Sequence, residues 1–124
     1  MLEKLIDRAP IFKIKLPRPP SVNACYANSR TGRTSTSALS KWQGIARREL
    51  YGVRYEILNK PIAIKYSMAF PDKRRRDCAN FEKALSDFLV HNRVIADDSL
   101  IQCNIQIKLP VKGDHVICEI YDLD

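Results

Sequence analysis

Two short stretches carry the residue types from which phosphoryl chemistry is made. In PDKRRRDCANFEK, residues 71–83, four consecutive cations, Lys73, Arg74, Arg75 and Arg76, run directly into Asp77, followed by Asn80, Glu82 and Lys83. In VIADDSLI, residues 94–101, Asp97 and Asp98 form a second acidic cluster. Phe81, Ala84, Leu85, Phe88 and Leu89 recur at the spacing of an amphipathic helix. Projected at about 100° per residue, Asn80, Lys83 and Asp87 share one edge of that apolar stripe, with Asp77 near the same edge.

Taken singly, each residue has a plain structural explanation. Asp77 can cap a helix, since its oxygen accepts an orphan N–H and its charge suits the positive end of the dipole. Asp97 and Asp98 can be a solvated acidic turn. Taken together they carry more, because carboxylates within about 4 Å repel unless a cation sits between them. Acids gathered in a basic surround point to a Mg²⁺ site facing a phosphodiester. Asp77 and Asp98 would then hold metal, Asn80 would orient a ligand or water, and Lys83 would neutralise phosphate charge or protonate the leaving group. Spacing leaves both readings open.

The elements that must position these groups follow from pattern. Residues 11–16, IFKIKL, alternate as a half-exposed strand, which Pro17, Pro19 and Pro20 end. Residues 21–35 lack apolar periodicity and read as a loop bearing Arg30 and Arg33, either an ordinary polar connection or an arm that grips phosphates. Ser37 or Ser40 caps a helix running to about Leu58, with Leu39, Trp42, Ile45, Ala46, Leu50 and Val53 near helical spacing. Residues 62–70 form a strand that delivers the chain to the basic turn. After the second helix, residues 101–109 and 115–121 read as two strands joined through Gly113 as a hairpin. The expected fold is α+β in one domain, 1–124: a two-layer α/β sandwich of order β-α-β-α-β-β, with a mixed sheet and two helices on one face.

Composition excludes several classes. A chain of 124 residues has room for one core. No apolar run is long enough to cross a membrane, and residues 1–20 carry Glu3 and Asp7, unlike a signal peptide, so a cytoplasmic location with no membrane partner is expected. Cys25, Cys78, Cys103 and Cys118 lie far apart with no metal-ligand spacing, and read as reduced thiols in or near a core. The net charge of +7 favours a polyanionic partner.

With these residues in place, the sequence resembles the RusA family of Holliday-junction resolvases. The likeness rests on PRPPSVN (17–23), MAFPDKRRRD (68–77), Asn80 and Lys83 after Asp77, and VIADDSLI. It implies a homodimer that binds four-way junction DNA and makes paired symmetric nicks with Mg²⁺ or Mn²⁺. It implies Asp77, Lys83 and Asp98 as catalytic residues, with Asp97 beside Asp98 at the metal and Asn80 in support. Lys73, Arg74, Arg75 and Arg76 would lie along the DNA, with Arg30 and Arg33 reaching it from the loop. One position departs: where the family pattern reads D-x-D-N, this chain has DCAN, with Ala79 in place of the second aspartate. Glu82, one turn on, could reach part of that space, although its direction differs by about 60°. The departure keeps open a second reading, a junction-binding module that cleaves poorly or not at all. A third, metal-free general acid and base hydrolysis, would rest on His91 and His115.

Overall fold

A computed structural model describes residues 8–30 and 32–123, without the side chains of Ser29 and Arg33. The alternation near the start becomes β1 (Phe12–Pro17), which buries Phe12, Ile14 and Leu16 and exposes Lys13 and Lys15. The segment read as a loop holds structure of its own: a one-turn helix α1 (Val22–Cys25) and a hairpin of β2 (Tyr26–Ser29) with β3 (Gly32–Ser35). This hairpin is a separate two-stranded sheet of polar residues, so no apolar alternation announces it. Its base is pinned by Thr36, whose N–H donates to Cys25 O at 2.9 Å and whose hydroxyl donates to Ala24 O at 2.6 Å.

Thr36 also caps α2 (Ser37–Arg48), its oxygen accepting from Leu39 N at 3.3 Å, in place of the expected Ser37 or Ser40. The helix stops ten residues short of the expected Leu58. The chain turns at Gly52, whose φ of +81° is the left-handed conformation that glycine tolerates and helices exclude. Leu39, Trp42, Ala46 and Leu50 are buried as expected, whereas Ile45 and Val53 are exposed.

Next come β4 (Ile62–Phe70), α3 (Ala79–His91), a 3₁₀ turn (Asp98–Leu100), β5 (Ile101–Lys112) and β6 (His115–Asp122). The sheet is mixed, in the order β1-β6-β4-β5. β5 runs parallel to β4, an arrangement that needs a crossover, and α3 supplies it. β6 is antiparallel to both β4 and β1. The hairpin expected at Gly113 is therefore absent: β4 lies between β5 and β6, and the chain passes over its end. Gly113 N donates to Phe70 O at 3.0 Å. A Cβ at position 113 would come within 2.9 Å of Ala69 Cβ and 2.8 Å of His115 Cε1, so close approach is what requires glycine here.

The α+β two-layer expectation holds. α2 and α3 cover one sheet face, where Trp42 and Phe88 meet edge to face at 5.4 Å among Ile14, Ile64, Tyr66, Met68, Cys118 and Ile120. The opposite face carries a small cluster of Ala63 and Tyr121 with Cys103 and Ile105. Cys25 and Cys118 are fully buried and all four cysteines are free thiols. Among the described residues no helix is long and apolar enough to cross a membrane.

Candidate functional site

The central strand β4 ends at Phe70 and releases the chain into the basic turn, which Asp72 organises. Its carboxylate accepts from Arg76 at 2.6 and 3.3 Å, and from the backbone N–H and Nε of Arg74 at 2.9 and 3.4 Å. These bonds, Arg76 foremost, hold the Asp72 carboxyl well below the usual carboxylate range. The Arg76 guanidinium also lies 5.2 Å over the Phe70 ring. Of the four cations, Lys73, Arg74 and Arg75 are exposed, while Arg76 is largely covered. Their identical charges therefore mask different jobs: Arg76 is covered and secures the turn, Arg74 touches Asp72 at longer range while staying exposed, and Lys73 and Arg75 are exposed.

A second brace crosses from β1. Arg18 donates through Nε to Asp114 at 2.6 Å and lies 5.5 Å from the Phe81 ring and 5.8 Å from that of Phe70. Between the braces, Asp77 leads into α3. Its Oδ1 accepts from Ala79 N at 3.1 Å and its carbonyl from Asn80 N at 3.0 Å, so the capping role read from the sequence is present. Two open concavities flank it. One, of about 550 Å³, is lined by Arg18, Ser21, Arg74, Arg75, Asp77 and Asn80 among others. The second, of about 520 Å³, is lined by Arg75, Arg76, Asp77, Cys78, Gln106 and Lys108, and Arg76 borders the first as well. Neither His91 nor His115 lines these clefts.

Lys83 lies on the exposed edge of α3. Its Nζ is 3.4 Å from Asp87 Oδ2 and 5.7 Å from the centre of the Tyr26 ring. Asp87 first, with its hydrogen bond, then Tyr26 and more weakly Asp98, raise the lysine's pKa and keep it charged. Asp98 acts on Lys83 only at longer range, the weakest of these influences. Asp97 accepts from the Ser99 hydroxyl at 2.8 Å, the main cause of its lowered pKa, and both acids of the pair are exposed. The turn that delivers them follows Arg93, whose φ of 61° reverses the chain after α3 while Val94 N donates to Leu89 O at 2.9 Å.

Glu82 is anchored at the seam of α3 and β5. Ser86 donates to its Oε1 at 2.5 Å and Asn104 at 2.8 Å. Because the single Ser86 proton goes to Glu82, the buried Tyr66 hydroxyl, 2.7 Å away, must donate to Ser86. Glu82 is half-buried and engaged by these two donors. Arg30 is exposed at the hairpin turn, while the Arg33 side chain lies outside the described residues.

Sequence reading missed Arg18 and Tyr26, and placed Asp87 on the helix edge of Asn80 and Lys83 without giving it a role. Arg18 stood inside the proline-rich run, and Asp87 stood one turn after Lys83 on the same helix edge. Tyr26 carried no signal, because its approach to α3 depends on the hairpin.

In kind, the acids suit a hard divalent cation: Asp77, Asp97 and Asp98 offer exposed carboxylate oxygens. Among the described residues, however, no three His, Cys, Asp or Glu side chains already form a metal-binding group.

Comparison with known proteins gives the class. Residues 17–121 match the model of the family described as Endodeoxyribonuclease RusA. The chain belongs to this RusA family of endodeoxyribonucleases. Among curated proteins, it is 35% identical over 102 residues to the crossover junction endodeoxyribonuclease of Enterobacteria phage 82, covering 81% of this chain and 84% of that protein. The corresponding protein of Escherichia coli K12 is 34% identical with the same coverage. That of Escherichia coli O139:H28 is 34% identical over 115 residues, 90% of this chain and 95% of the relative.

Proposed function

We propose that this protein is a cytoplasmic homodimer that resolves crossover junctions in DNA by paired symmetric nicks, using Mg²⁺ or Mn²⁺. The observation that carries this reading is the cleft in which Asp77 and Asn80 stand among Arg18, Arg74 and Arg75. Guanidinium groups contact backbone phosphate wherever it runs, so this wall positions a branched duplex without reading its sequence. On this reading the exposed Lys73 and Arg30 would extend the same surface, and Arg33 would join them as expected from the sequence. Asp77 and Asp98, with Asp97 beside it, would hold the metal, which when bound lowers the pKa of water and stabilises the leaving oxygen. Asn80, in the first turn of α3, orients the phosphate or a water beside Asp77. Lys83, held charged by Asp87, neutralises charge developing on the phosphate.

The deciding measurement is cleavage of a four-way junction by the purified chain. Symmetric nicks that require Mg²⁺ or Mn²⁺ and vanish in excess EDTA are expected. Tight junction binding without nicking at any metal concentration would establish the binding module that Ala79 leaves open. Nicking that persists in EDTA would remove the metal from the mechanism. Sedimentation of the active species as a monomer would remove the homodimer.

A further inference from the structure

Lysine is a compact charge on a flexible four-carbon stem, so a lysine that acts at one atom of a substrate needs something to limit where its ammonium goes. Lys83 stands on an open helix edge, and an exposed i, i+4 partner holds such a group weakly because water screens the pair. Here the pair has a third member from a different element. The Tyr26 ring lies 5.7 Å from the Lys83 ammonium, and the Tyr26 hydroxyl donates to Asp87 Oδ2 at 3.3 Å, the same oxygen that meets Lys83 at 3.4 Å. The aromatic face bounds the ammonium, and the hydroxyl fixes the carboxylate that attracts it.

Tyr26 is in turn fixed by the base of the hairpin. It follows Cys25, which is fully buried and bonds Pro20 O through Sγ at 3.3 Å, and it pairs in register with Ser35, next to the pinning residue Thr36. The position of Lys83 is thereby tied to the segment that carries Arg30 and Arg33. Facing the lysine are Asp87 from its own helix, Tyr26 from β2 and, at longer range, Asp98 from the turn beyond α3.

We propose that Asp87 and Tyr26 are positioning residues for Lys83, confining its ammonium to one place on the edge of α3 where it meets the scissile phosphate. This rests on the reading of Lys83 as a catalytic residue given above, and the experiment separates the two. Single-turnover cleavage of a four-way junction, junction Kd and melting temperature are measured for the full chain and for Lys83→Ala, Asp87→Asn, Asp87→Glu and Tyr26→Phe. A positional error of about 1 Å can cost about a hundredfold, so Asp87→Asn should slow cleavage roughly ten- to hundredfold and Tyr26→Phe roughly threefold. Junction Kd should be unchanged or tighter in Asp87→Asn, which removes a negative charge near DNA, and melting temperatures should stay at the wild-type value. Asp87→Glu should recover most of the rate, since a glutamate four residues on still reaches the lysine. If Lys83→Ala is inactive while Asp87→Asn and Tyr26→Phe cleave at the wild-type rate, the positioning role is overturned and the catalytic reading of Lys83 stands. If Lys83→Ala itself cleaves normally, that reading falls and the positioning role with it. Slower cleavage that appears only in step with lost melting temperature or weakened Kd would make the pair structural and also overturn the proposal.

Discussion

At the start of α3 the chain is tied to its surroundings from both sides, whereas beyond the end of that helix the acidic pair is held by bonds within its own turn. Asp72 gathers Arg74 and Arg76, Phe70 lies under Arg76, and Arg18 crosses from β1 to Asp114 and Phe81. Asp97, by contrast, takes its hydrogen bond from Ser99, two residues away, and Asp98 reaches Lys83 only through its field. The difference separates two tasks. The cationic wall that would receive phosphate is set by the fold itself, while the carboxylates stand exposed on two turns and do not form a ready group of three. On the proposed reading, metal and DNA together draw the acids into register against a wall that is already in place.

The largest effect should come from Asp77, the acid in the braced region at the start of α3. Asp77→Asn keeps an oxygen for the Ala79 N–H and so keeps the cap, but on the proposed reading removes a charged metal ligand. Cleavage should fall by about a thousandfold, while junction binding is retained or tightened. A mutant that nicks at the wild-type rate would show that the wall works without this acid and would dissolve the comparison.

Much of this arrangement was legible in the sequence, for reasons that can be named. The helix bearing Phe81, Leu85 and Phe88 was visible because a core-facing helix writes its period into its apolar residues. The tight connection that carries Asp97 and Asp98 was visible too, because it directly follows the last apolar residues of that helix. The sheet order was hidden, because Gly113 looks the same in a hairpin and in a passage over the end of β4, and only the pairing partners distinguish them. The polar hairpin was hidden because it buries little. Equally invisible was the division of labour among Lys73, Arg74, Arg75 and Arg76: consecutive cations read alike until Asp72 and Phe70 are seen to claim one of them.

That claim predicts a middle-sized effect. Asp72→Asn should unpin the turn, lower the melting temperature at neutral pH and weaken junction binding roughly three- to tenfold through lost pre-organisation. Because the folded carboxyl titrates below its ordinary range, its contribution is complete above about pH 4 and is lost as the pH falls through that lowered value. The melting difference between wild type and mutant should therefore persist at neutral pH and shrink on strong acidification. A difference independent of pH would mean that Asp72 acts through packing.

The smallest effect is the sharpest discriminator, because it compares neighbours of identical charge. Arg74 and Arg75 are exposed, so if they meet phosphate, replacing both with alanine should release two fewer counterions per protomer and flatten the log–log salt dependence of junction affinity by about 1.8 per protomer, roughly 0.9 for each residue and about 3.6 for the proposed homodimer. Arg76 already spends its charge on Asp72 and its face on Phe70. Arg76→Ala should therefore lower the melting temperature and leave the salt slope nearly unchanged, even though it removes the same formal charge. Equal slope changes for all three would show that Arg76 leaves Asp72 when DNA arrives, making the brace a latch instead of a fixed part of the wall.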